Sequence, residues 1–107
     1  MIVTTTDSVE GRQIVAYLGV VAGDAVMGTN IFSDFFAGIR DIVGGRSGSY
    51  EKELAKAKAF AIEDMQAQAQ EAGADAIVGV DLDYESIAHD KTCLLVVSAN
   101  GTAVKLA

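Results

Sequence analysis

The chain has 107 residues, half of them hydrophobic, and a formal net charge of −7. That length suits one domain spanning 1–107, and the acidic balance, with no basic stripe, argues against nucleic acid or an anionic membrane surface as partner. The longest apolar run, from Ile14 to Gly23, covers ten residues, well short of the roughly 18 that a helical membrane span needs.

The N-terminal residues, Met1 to Asp7, carry neither a basic region nor a long apolar stretch, so no signal peptide is expected. One cysteine, Cys93, cannot form an internal disulfide, and a reducing cytoplasm is the expected compartment. The mean hydropathy of +0.30 is high for so small a chain. A monomer of this size buries only about 65% of its unfolded surface, so the apolar surplus points to another protein surface, most simply a second copy.

Ile2 to Thr6 is β-branched and predicts a short strand. Gln13 to Val26 predicts a longer one. It is apolar on both faces from Ile14 to Ala22, with Gly19 and Gly23 marking a bend, a bulge or a close backbone contact. Phe32, Phe35, Phe36, Ile39, Ile42 and Val43 then fall at helical spacing and predict a short amphipathic helix closed by Gly44.

Tyr50 to Ala72 is rich in alanine, free of glycine and proline, and predicts the main helix. Leu54, Ala57, Ala61, Met65, Ala69 and Ala72 form its narrow apolar stripe. Ser49 is placed as N-cap and Gly73 as the stop. Asp75 to Glu85 predicts a strand, Ser86 to Lys91 a turn, and Thr92 to Ser98 a second apolar strand. Asn100-Gly101 predicts another turn, and Thr102 to Leu106 a last strand. The order β-β-α-α-β-β-β fits an α+β domain in two layers, an antiparallel sheet packed on the long helix. That arrangement covers one sheet face, whereas Ile14 to Ala22 and Cys93 to Val97 read as buried on both.

Several stretches together resemble the YbjQ family, which carries the label "putative heavy-metal-binding domain". They are Tyr17-Leu18-Gly19-Val20-Val21 with Gly23, the run Asp34 to Tyr50 and above all Gly44-Gly45-Arg46-Ser47-Gly48-Ser49-Tyr50-Glu51, Ala72 to Val80 followed by Asp83-Tyr84-Glu85, and Gly101-Thr102-Ala103-Val104. The resemblance runs over essentially the whole chain. It implies a dodecin-like subunit in a pentameric ring, with short extra strands joining neighbours, and no established activity.

Three groups of residues could bind something. Gly44, Gly45, Arg46, Ser47, Gly48 and Ser49 lead into the long helix. Free backbone N–H groups, the guanidinium and the hydroxyls there suit phosphate or carboxylate. Without the GxxxxGK[ST] pattern this is no nucleotide loop, and a tight helix–helix connection whose Arg46 pairs with an acidic group of this or a neighbouring subunit is the commoner arrangement. Asp81, Asp83 and Glu85 share one strand face at about 6.6 Å per step. One chain spaced this way cannot chelate a small cation, but several subunits together could hold a divalent metal such as Ca²⁺ or Mg²⁺; otherwise the row is a solvated strand face. His89 and Cys93 offer one soft ligand each, where a soft-metal site wants two or more. No nucleophile, base and orienter form a catalytic set, so no enzyme is expected. The expectation is a cytoplasmic, homo-oligomeric binding module, with a ring that binds other proteins as the alternative.

Overall fold

The computed structural model describes residues 1–27, 48–89 and 92–107, with backbone only at 48–50, 88, 89, 92 and 93. The elements are β1 (Ile2–Val3), β2 (Ile14–Met27), α1 (Gly48–Glu71), β3 (Ala76–His89) and β4 (Thr92–Leu106). They form one four-stranded sheet in the order β1-β3-β4-β2 with α1 packed on it. The expected antiparallel sheet is in fact mixed. β1 runs parallel to β3, while β4 pairs antiparallel with both β2 and β3. The helix expected at 32–43 lies outside the described residues.

Alternation along the strands decides what α1 covers. Val21 and Ala25 of β2, and Leu95, Val97, Ala99 and Ala103 of β4, are buried under Ala57, Ala61, Met65 and Ala69 of α1. The alanine stripe makes close approach possible, and Gly23 completes it. A Cβ on Gly23 would lie 2.1 Å from the Ala61 carbonyl oxygen and 2.5 Å from the Met65 backbone nitrogen. Of the roles expected for Gly19 and Gly23, Gly23 takes the close contact. Gly19, at φ 112, sits at a register shift between β2 and β4. A smaller cluster of Ala76, Val78, Val104 and Leu106 lies on the other side of the sheet, flanked by Val9 and Ile14.

α1 ends as its sequence predicts. Gly73 adopts φ 80, its N–H donates to Gln70 at 3.0 Å, and the Ala74 N–H donates to Ala69 at 3.0 Å. This is the paired i−3 and i−5 closure that a left-handed residue permits. The start differs. The helix already includes Gly48, so Ser49 lies inside the first turn and is not its N-cap.

Of the two expected turns, residues 86–89 and Asn100-Gly101 are strand instead, and 90 and 91 lie outside the described residues. β3 runs on to His89, pairing Ala88 with Cys93 and His89 with Thr92, so 86–89 extend the hairpin. β4 continues through Asn100-Gly101. There glycine serves packing, because a Cβ on Gly101 would lie 2.7 Å from Ile77 Cγ2 and 3.1 Å from Val80 Cγ2. A local turn signal is overridden because both neighbouring strands pair on through this point, Val21 with Gly101 and Asp81 with Asn100.

Candidate functional site

The sheet face away from α1 holds the most chemistry among the described residues. Register sets it out in rows across β3, β4 and β2: Glu85, Val96 and Val26; then Asp83, Ser98 and Asp24; then Asp81, Asn100 and Ala22. Cross-strand partners share a face, so Asp81, Asp83 and Glu85 stand together as their alternation predicts. Asp24 joins them from β2. Its carboxylate Oδ1 accepts a hydrogen bond from Ser98 Oγ at 2.7 Å. Sequence reasoning missed Asp24 and Ser98. Only the pairing register brings them beside Asp83, and no local signal announces it.

These four carboxylates are exposed. Asp83 is held above the ordinary carboxylate range. A hydrogen bond shared with Asp81 favours its protonated form, repulsion from the Asp81 charge adds to this, and slight desolvation acts the same way. A neighbouring cation would relieve that crowding.

The same face is apolar at both ends of the acidic band. Val20 is 81% exposed, Tyr17 74% and Val26 59%, with Ile87 and Leu94 also exposed. The two-sided burial expected of Ile14 to Ala22 is therefore one-sided in a single chain.

At the sheet's β2 edge the helix supplies hydrogen-bond acceptors. Gln68 Oε1 accepts from the Ala22 N–H at 3.1 Å, and Asp64 Oδ2 accepts from the Asp24 N–H at 3.3 Å. This blunts an edge that would otherwise offer unpaired donors. At the far end of β4, Asp75 accepts from the Leu106 N–H at 2.9 Å and lies 3.6 Å from Lys105. The backbone hydrogen bond first, and the ammonium second, hold its carboxyl below the ordinary range.

The other expected sites are not assembled by the described residues. Gly44, Gly45, Arg46 and Ser47 lie outside them, and Gly48 and Ser49 are described only as backbone in the first turn of α1. His89 and Cys93 fall in adjacent, not shared, backbone pairs at the β3–β4 end. No group of three His, Cys, Asp or Glu side chains able to hold a metal exists among the described residues. The oxygen donors present suit hard cations, so the described part of one chain does not fit a heavy metal. No described helix is long and apolar enough to cross a membrane.

The profile of the YbjQ family, described as "Putative heavy-metal-binding", matches residues 1–107. Among solved structures, the chain is similar to a protein of unknown function of the DUF74 family from Pediococcus pentosaceus. The identity is 17%, the TM-score 0.64, and the match covers 100% of this chain and 98% of the other. At that identity the likeness concerns the fold.

Proposed function

We propose that this chain, which belongs to the YbjQ family, works as a cytoplasmic homo-oligomeric ring of five copies that binds a metal ion or small ligand where subunits meet. The observation that carries the proposal is the open sheet face. It joins exposed Tyr17, Val20 and Val26 to a band of carboxylates, so one chain presents an incomplete surface. Apolar area of this kind is stabilised by association, and carboxylates too few to chelate alone gain partners from a second subunit. No step of chemistry is assigned to a heavy metal, because the donors described in one chain do not suit it.

Native mass spectrometry on untagged protein, before and after adding Zn²⁺, Cu²⁺, Ca²⁺ and phosphate, tests this. An oligomer that gains ions in a fixed ratio is expected. A chain that stays at 11.1 kDa at micromolar concentration defeats the oligomer. An oligomer that stays bare favours a second reading, a ring that presents its surface to another protein. Phe60, half exposed on α1, favours that reading as well.

A further inference from the structure

We infer that Asn100-Gly101 is a latent deamidation site, held shut by the pairing of β4 with β2, and that reaction there marks chains whose sheet has opened. The inference is independent of the proposed oligomer, because the contacts that hold the site lie within one chain.

The chemistry is intrinsic to the pair. The Gly101 backbone nitrogen attacks the carbonyl carbon of the Asn100 side chain and a C–N bond forms. The proton of that nitrogen passes to the side-chain amide, which leaves as ammonia. Water then opens the cyclic imide. Cleavage at the former side-chain carbonyl leaves aspartate. Cleavage at the main-chain carbonyl leaves isoaspartate, with one more carbon in the main chain. A side chain on the following residue hinders the attack, and glycine has none. Position 101 has no room for one. A Cβ there would lie 2.7 Å from Ile77 Cγ2, 3.1 Å from the Val78 carbonyl oxygen and 3.1 Å from Val80 Cγ2. The packing that requires Gly101 therefore builds the reactive pair into β4.

Pairing keeps the nitrogen from the carbonyl. The Ala22 N–H turns away from β4 and donates to Gln68 Oε1 at 3.1 Å. Backbone groups alternate along a strand, so the preceding Val21 turns toward β4 and exchanges hydrogen bonds with its partner Gly101. Attack requires loss of that bond and rotation of Asn100 out of its extended conformation. The β3 side adds no hold on Gly101. Its ladder with β4 is interrupted between Val78 and Asp81, where the Gly79 and Val80 N–H groups donate to Thr6 at 2.8 Å and Thr4 at 3.1 Å.

The product alters the fold. Asn100 pairs with Asp81, on the face that also carries Asp24, Asp83 and Glu85. Aspartate at 100 sets a carboxylate across from Asp81, and like charges directly opposite on paired strands are destabilising. Isoaspartate displaces the register of β4 beyond residue 100, where Ala103 and Val104 are fully buried. A transient opening is thereby made lasting.

The test incubates untagged full chain in mildly alkaline buffer, native and in guanidinium chloride, and follows residue 100 by peptide mass spectrometry. Conversion to aspartate and isoaspartate is expected in denaturant. In the native chain it should be slower by a factor of about ten or more, because the reaction follows the population of open chains. Met65→Ala in native buffer removes denaturant from the comparison and should convert faster than wild type. Should that variant fail to fold, Val21→Ala takes its place. Equal rates in native and denatured chains, no conversion in denaturant, or a destabilised variant no faster than wild type each overturn the inference. Asn100→Asp should melt below wild type at pH 7, and a melting temperature at or above that of wild type overturns the stated consequence.

Discussion

The two faces of the sheet are built from the same strands, one residue apart. On the face beneath α1, Val21, Ala25, Leu95, Val97 and Ala99 are buried. On the opposite face their immediate neighbours Val20, Val26 and Leu94 are exposed, beside four carboxylates. Valine occurs on both, but the carboxylates stand only on the outer face, so residue type and coverage by the helix separate the faces together. The inner face shows what a strand of this composition becomes when a helix lies on it. The outer face shows valines of the same strands left exposed beside charge.

The largest effect should come from breaking the inner contact. Gly23→Val places side-chain atoms against the α1 backbone, which cannot swing aside as a side chain can. A loss of about 3 kcal/mol or more is expected from such overpacking, read as a fall in the urea midpoint. Met65→Ala, at a fully buried position, should cost about 2–5 kcal/mol through lost burial and the cavity left behind. If either change leaves the midpoint in place, the inner face is not the core.

The outer face should respond in assembly and not in the stability of the chain. Val20→Thr with Val26→Thr should change the unfolding free energy of a dissociated chain by only about 0.5 kcal/mol, as for other surface changes. The same pair should shift wild-type oligomer toward monomer in sedimentation velocity. A large loss of chain stability without loss of oligomer would erase the contrast between the faces.

The smallest effects are electrostatic, and their signs differ. The folded value of Asp75 is lowered, so its contribution is present above the ordinary carboxylate range and is lost as pH falls through the folded value. The folded value of Asp83 is raised, so its charge opposes folding at neutral pH, and that opposition fades as pH falls through the raised value. In the dissociated chain, Asp83→Asn should raise the melting temperature slightly at pH 7 and not in acid. Asp75→Asn should lower it at pH 7 and flatten its decline on acidification. Melting curves against pH check both.

The candidate site was only partly legible from sequence. Alternation alone placed Asp81, Asp83 and Glu85 on one face, because a strand's period of two is local. Asp24 and Ser98 could not be added that way. They meet Asp83 through pairings spanning 74 residues between Asp24 and Ser98, and register over such a distance has no short-range mark. The amphipathic helix expected at 32–43 and the loop of Gly44 to Ser47 lie outside the described residues.

The sequence by itself determined α1 and its stop at Gly73, because helix propensity, an alanine stripe and a left-handed glycine each act within a few residues. It also placed the central stretches of β2, β3 and β4 as extended, though not where each strand ends. Tertiary structure decided that β1 lies parallel to β3, that β4 runs unbroken through Asn100-Gly101, and that α1 covers one face and leaves the other open. Those outcomes depend on which strands meet and in what register. Contacts between distant segments settle both, and they override a turn signal whose own preference is weaker than a continuous ladder of hydrogen bonds.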